Sequence, residues 1–213
     1  MKGITSVSSV KLALLARNMR QKVDGFELVQ AEPIAIVGMA CRFPGGANDP
    51  AAFWALLMGG VDAVTETPKD RWDADEYYSP DPDAPGKAYA RYGAFLDRVD
   101  GFDAEFFGIS PREALNMDPQ QRLLLEVCWE AVEDAAIAPA SLAGSPTGVF
   151  AGACAQDFGL FQFADPARIE AWSSPGIAHS MLANRVSYLL DLRGPSMAID
   201  TCLLYTSPSP RDS

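Results

Sequence analysis

Histidine is nearly missing from this sequence: His179 is the only one among 213 residues. That rules out most His-rich metal chemistry within the chain. Cysteine is scarce as well. Cys41, Cys128, Cys154 and Cys202 lie far apart and form no CxxC pair, which argues against a zinc centre, and no metal site is expected. No apolar run approaches the roughly 18 residues a membrane span needs. The N-terminus lacks a long apolar core with a small-residue cleavage site, so secretion is not indicated. A cytoplasmic location with free thiols is expected instead. Positive charge is in short supply: 17 Lys and Arg stand against 28 Asp and Glu, for a formal net charge of −11. An acidic chain repels phosphate backbones, so nucleic acid is not an expected partner. The glycines of "VGMACRFPGG" match neither a dinucleotide nor a P-loop pattern, and there is no short-period repeat.

What is present points to a folded chain. Apolar residues make up 48% of it, enough for one ordinary domain with a core or for part of a larger one. The first 31 residues stand apart. In "SSVKLALLARNMRQKV", Leu12, Leu15, Met19 and Val23 recur at helical spacing, with Lys11, Arg17, Arg20 and Lys22 giving a basic character. Two readings stay open: an amphipathic helix packed on its own domain, or a linker or docking helix that meets another polypeptide.

Beyond residue 31, strand and helix signals alternate. Ile34, Ala35, Ile36 and Val37 form a short apolar run suited to a central strand covered on both faces. "NDPAAFWALLMGG" predicts a helix with Asp49 as cap, Pro50 at its first position and Gly59–Gly60 at its exit. Phe53, Leu56 and Leu57 would form its apolar face. From Asp62 to about Ile109 the pattern breaks into a long, aromatic-rich stretch that should pack down, with a short strand around "AYARYGAFL". "MDPQQRLLLEVCWEAVEDAAI" predicts the clearest helix, with Asp118 as cap and Gln121 completing a capping box. Its apolar face would hold Leu124, Val127, Cys128, Ala131, Val132 and Ala135, which makes Cys128 a packing residue. "TGVFAGACAQDFG" predicts another buried strand. A long helix through "GIAHSMLANRVSYLLDL" and a last strand, "SMAID", follow. Strands separated by helices imply a layered α/β fold with a largely parallel sheet.

Three features could carry chemistry. Reactive groups gather at the carboxyl ends of strands in such sheets. Cys202 follows the strand ending at Asp200-Thr201 and is a candidate nucleophile, if a helix N-terminus or a base lowers its pKa. The bland alternative is a small buried residue. His179, read as mid-helix, is a candidate base, with a satisfied packing histidine as the stronger alternative. Asp97, Asp100, Asp103 and Glu105 are a carboxylate set, read first as a solvated edge and second as an acid–base group.

Taken together and in order, "EPIAIVGMACRFPGG", "DPAAFWALLMGG", "RWDADEYY", "FDAEFFGISPREALNMDPQQRLLLEVCWEAVEDA", "TGVFAGA" and "LANRVSYLLDLRGPSMAIDT" resemble the N-terminal half of a β-ketoacyl synthase domain. More narrowly, they resemble the ketosynthase of modular type I polyketide synthases. The resemblance runs from about Glu32 to Thr201. It implies the N-terminal half of a thiolase-like α-β-α-β-α fold, in a parent domain that is a homodimer. It also implies an acyltransferase reaction of polyketide or fatty acid biosynthesis. A cysteine takes an acyl group as a thioester, and two histidines support decarboxylation of an extender unit. The resulting carbanion then attacks the thioester. The implied partners are an acyl carrier protein and neighbouring synthase domains. No cofactor is bound directly; phosphopantetheine arrives on the carrier protein.

The departures from the family pattern matter as much. "DTAC" is shortened here to Asp200-Thr201-Cys202, so the family's cysteine position falls on Leu203 and Cys202 takes the preceding alanine position. The family's histidines and lysine belong to its C-terminal half, and His179 matches neither histidine. The expected organisation is a linker or docking helix over 1–31, a truncated ketosynthase domain over 32–201, and a disordered or artefactual non-family tail over 202–213. The chain alone is expected to be inactive. The rival readings are a non-catalytic docking or scaffold module and the ketosynthase of a related multidomain fatty-acid synthase. A Cys-dependent hydrolase is the weakest, for want of a base.

Overall fold

The computed structural model describes residue 11, residues 14–23 and residues 33–200. The proposed tail, Cys202 included, lies outside them. The chain divides into two units, Met1–Ile36 and Val37–Ser213. In the first, residues 14–23 form helix α1, on which Leu14, Leu15, Met19 and Val23 are all exposed.

The second unit is built around two packed helices. Helix α5 (Pro119–Asp134) starts at Asp118, whose carboxylate accepts from the amide of Gln120, and Pro119 fills the first turn where no amide is needed. Helix α8 (Ser180–Leu189) packs against it. Met117, Leu125, Val186 and Leu190 form the buried core between them, with Leu124, Cys128, Trp129 and Val132 around it. Cys128 is thus a packing residue, as its helical position implies.

Behind α8 lie strands β3 (Val149–Gly152) and β4 (Ser196–Ile199), paired in parallel with Ala151 opposite Ala198. A parallel pair needs a crossover, and helices α6 (Phe158–Phe163), α7 (Ser173–Ile177) and α8 provide it. Ala151 packs on Leu182 and Ala183 of α8. The opposite face of the pair carries Phe150, Met197 and Ile199, all exposed. β3 is therefore buried on one face only, where the sequence predicts a fully buried strand.

Two further elements follow expectation. Helix α2 (Pro50–Met58) is capped by Asp49, which accepts from the Ala52 amide at 2.8 Å, and ends at Gly59. Phe53 and Leu56 are half-buried while Leu57 points out. Phe53 stacks on Phe43 with ring centroids 4.3 Å apart. The aromatic stretch does pack down: strands β1 (Val64–Glu66) and β2 (Tyr92–Ala94) pair antiparallel, helix α3 (Ala74–Tyr77) lies between them in sequence, and Trp72 meets Phe95 edge-on. Phe102, Phe106 and Phe107 form an aromatic cluster with Trp129 of α5.

Three further expectations fail. Residues 34–37 form no strand, and Ile34, Ile36 and Val37 are exposed. No described strand lies alongside to share a ladder, and the chain just after is held by α5 side chains instead. Met39 donates its amide to Asp134 at 2.8 Å, and Arg42 forks onto Glu130. Gly38 meets α5 so closely that a Cβ there would lie 2.2 Å from the Ala131 carbonyl oxygen. The capping box also fails: Gln121 is buried and reaches across to other elements (below). Finally, the long helix through His179 is broken. The carbonyls of Pro175, Gly176 and Ala178 accept from the Gln121 side chain and the Asp118 amide. Gly176 is pressed onto the Asn116 carbonyl, where a Cβ would sit at 1.8 Å. These contacts turn the chain, so α7 ends at Ile177 and α8 begins at Ser180.

Candidate active site

The sequence places its candidate nucleophile, Cys202, after the last strand of the parallel pair and outside the described residues. At the carboxyl end of the pair, ladder bonding continues to the Ala153 amide, which donates to the Ile199 carbonyl at 3.2 Å. β4 then delivers Asp200, the last described residue. On the other strand, the chain leaves β3 through Ala153, Cys154 and Ala155, with Cys154 exposed.

The N-terminal ends of α5 and α8 both point side chains at this exit. Gln120 donates its side-chain amide to the Ala155 carbonyl at 3.0 Å and also approaches the Asp118 carboxylate at 3.2 Å. His179 places Nε2 3.0 Å from the same carbonyl. His179 thus stands just before α8 rather than within a helix, and near the strand ends. A carbonyl only accepts, so Nε2 must carry its proton in this contact. In this contact that nitrogen is a donor.

Beneath this layer sits a buried polar network that the sequence reading misses. Arg185 of α8 donates through Nε to Gln121 at 2.8 Å and through Nη1 to Glu113 at 2.6 Å. Glu113 belongs to helix α4 (Pro111–Asn116). The ion pair is 9% and 16% exposed at its two side chains. Gln121 donates onward to the Pro175 and Ala178 carbonyls. One signal was available: a Gln and an Arg on the core-facing sides of two adjacent helices must satisfy each other or pay desolvation.

The carboxylate set does not converge. Asp97, Asp100, Asp103 and Glu105 are all exposed. Asp103 accepts from the Phe106 amide in its own turn, and Asp100 pairs with Arg98. Hydrogen bonds from its own backbone amide and the nearby Arg98 hold the Asp100 carboxyl below its ordinary value. Such groups cap and solvate an edge; they form no acid–base pair. Among the described residues no group of His, Cys, Asp and Glu could hold a metal ion, and no helix is long and apolar enough to cross a membrane.

The chain matches a known family. Residues 31–202 fit the model of the β-ketoacyl synthase N-terminal domain. The chain belongs to that family. Its relatives are polyketide synthases. Phenolphthiocerol synthesis polyketide synthase type I Pks15/1 of Mycobacterium bovis is 48% identical over 192 residues, which cover 90% of this chain and 9% of that protein. Polyketide synthase GfsB of Streptomyces halstedii is 52% identical over 171 residues, 80% of this chain and 3% of that one. Among solved structures, an oxazolomycin ketosynthase domain from Streptomyces albus JA3453 superposes with a TM-score of 0.70 at 44% identity, covering 78% of this chain and 28% of that one. The module 6 ketosynthase of the bacillaene synthase from Bacillus subtilis 168 gives 0.64 at 32% identity, covering 78% of this chain and 26% of that one. The chain is a ketosynthase portion with the thiolase-like fold of these neighbours, and it spans under a third of their length. Its family is one of condensing acyltransferases.

Proposed function

We propose that this chain forms the N-terminal part of a ketosynthase that performs decarboxylative Claisen condensation in a type I polyketide synthase. One observation carries the reading: β3 and β4 pair in parallel so that Asp200 leaves the sheet at its carboxyl end, within a segment, residues 31–202, that fits the family model. In the parent domain a thiolate attacks the acyl thioester, forms a new thioester and releases the phosphopantetheine thiol of the acyl carrier protein. Decarboxylation of a second carrier-bound unit leaves a carbanion. It attacks that thioester, expels the cysteine thiolate and lengthens the chain by two backbone carbons.

Cys202 stands one position short of the family nucleophile, and the residues that would supply two histidines belong to the family's C-terminal half. We therefore assign this 213-residue chain no condensing activity of its own. The test is incubation of the purified chain with an acyl thioester and a carrier-bound extender, read by mass spectrometry. No β-ketoacyl product is expected. A product that disappears in Cys202→Ala would overturn this. The division into 1–31, 32–201 and a non-family tail over 202–213 is tested by sequencing the source locus. A genome that encodes "CLLYTSPSPRDS" in frame makes the tail native.

Two partner assignments follow. Leu115 of α4 and Leu160 and Phe161 of α6 are exposed, and Leu115 and Phe161 line one cavity of about 340 Å³. Apolar side chains gathered this way suit an interface between protomers, so the intact parent domain is expected to be a homodimer. Light scattering of that domain decides it, and a monomer refutes it. The exposed, basic α1 supports a second reading, in which residues 1–31 dock a neighbouring synthase polypeptide or carrier protein. Pull-down with and without residues 1–31 tests this, and capture that ignores the deletion refutes it.

A further inference from the structure

The exit of β3 is held by a device that the ketosynthase assignment leaves unexplained. After the Ala153 amide the chain has no further ladder bond to β4 among the described residues, and three exposed residues, Cys154, Ala155 and Gln156, lead towards α6. Such a stretch would ordinarily be free to move. Here a single carbonyl, that of Ala155, takes two side-chain donors at once. Gln120 reaches it from the second position of α5, and His179 from the residue before α8, each at 3.0 Å. Two lone pairs on one carbonyl allow both.

The two donors are themselves braced. The Gln120 side-chain amide also approaches Asp118, a residue buried to 4% exposure. His179 sits at the break between α7 and α8, which the Gln121 side chain fixes through the Pro175 and Ala178 carbonyls. Gln121 in turn accepts from Arg185. The buried Glu113–Arg185–Gln121 network therefore sets where His179 stands, and His179 with Gln120 sets where Ala155 stands. Cys154 and Ala155 directly follow Ala153, whose amide makes the last ladder bond to Ile199 at the carboxyl end of β4.

We infer that Gln120 and His179 are positioning residues, which fix the β3 exit as one wall of the acyl-thioester site at the end of β4. They act through the Ala155 carbonyl and touch no reacting atom. The inference rests on the proposed ketosynthase reading for the meaning of the wall, though the clamp is a physical object with its own test.

Because His179 is the only histidine, its imidazole nitrogens are unambiguous in long-range ¹H–¹⁵N spectra of the full chain. A protonated Nε2 is expected. The Ala155 carbonyl ¹³C resonance should move upfield in His179→Ala and in Gln120→Glu, where the carboxylate no longer donates. It should hold its place in His179→Gln, whose amide still donates. A spin label on exposed Cys154 should lose its broad, immobilised component in the Gln120→Glu/His179→Ala double variant and keep it in His179→Gln. Unchanged far-UV circular dichroism shows that the effect is local. A bare Nε2, or an Ala155 resonance and a label spectrum indifferent to all four variants, overturns the clamp. Neither readout involves an acyl group, so that failure is distinct from failure of the condensation reading, which the product assay decides.

Discussion

Replacing Arg185 with Met should destabilise the second unit more than any surface substitution, and the size can be worked from its contacts. The guanidinium and the Glu113 carboxylate are 9% and 16% exposed. Removing the arginine leaves that carboxylate nearly dry and without its counter-charge, and it orphans the Gln121 side-chain oxygen. Breaking one side of a buried pair costs about 3–5 kcal/mol. The orphaned amide oxygen falls within that figure, because the same side chain served both groups. A domain holds only about 5–15 kcal/mol in all, so much of the stability goes. With a urea dependence of about 2–3 kcal/mol per molar, the unfolding midpoint by far-UV circular dichroism should drop by about 1–2.5 M. The double variant Arg185→Met/Glu113→Gln should recover most of this, since no unpaired charge remains. The Arg185 Nη2 atom, buried without a partner, already makes the native pair less than ideal. If the single variant unfolds within about 0.3 M of the parent, or the double variant is as weak as the single, then the pair is not a buried charge pair in the sense argued.

Thiol chemistry should rank the cysteines. Burial pushes the Cys128 thiol up from its ordinary value, and burial with the nearby Asp49 does the same for Cys41, whereas Cys154 is exposed. Peptide mapping after iodoacetamide at neutral pH should find Cys154 modified well before Cys41 and Cys128; equal rates refute this. Hydrogen bonds from Arg112 and Asn116 hold the Glu170 carboxyl below its usual range. Its contribution to stability is therefore present above the unfolded carboxylate value and is lost as pH falls through the lower folded one. Fluorescence of nearby Trp172 should report loosening below about pH 4, and Glu170→Gln should abolish that step; a step that survives points to another group. The exposed face of Phe150, Met197 and Ile199 should make the 213-residue chain bind an apolar dye and self-associate. Phe150→Ser/Met197→Ser should reduce both, and a monomeric, dye-silent parent chain would refute the argument.

What the sequence conveyed well was written locally. Asp49-Pro50 and Asp118-Pro119 each place an acceptor and a residue lacking an amide where a helix start leaves amides unpaired, so α2 and α5 begin where expected. The order of the recognisable blocks led to the family without any geometry. What failed depended on groups distant in sequence. Residues 34–37 carry a strand's composition, but a strand exists only by pairing, and no described neighbour offers a ladder. "GIAHSMLANRVSYLLDL" carries a helix's periodicity. Its break at Ala178-His179 is imposed by Gln121, which lies 57 residues from Ala178, and by the tight approach of Gly176 to Asn116.

The same contrast explains the candidate site. The strand that leads to Asp200 can be read from "SMAID", because the strand and its direction are local facts. The support beneath it cannot, because Gln120, Gln121, His179 and Arg185 become a unit only when α5 and α8 lie side by side. Local reading made His179 a mid-helix packing residue with a minor claim to act as a base. In the fold it stands at a helix start, with Nε2 bound to the carbonyl of Ala155. A ring whose Nε2 must donate to a carbonyl is being used for its shape and its proton. In the clamp inferred above, its part is to hold the β3 exit still through the Ala155 carbonyl.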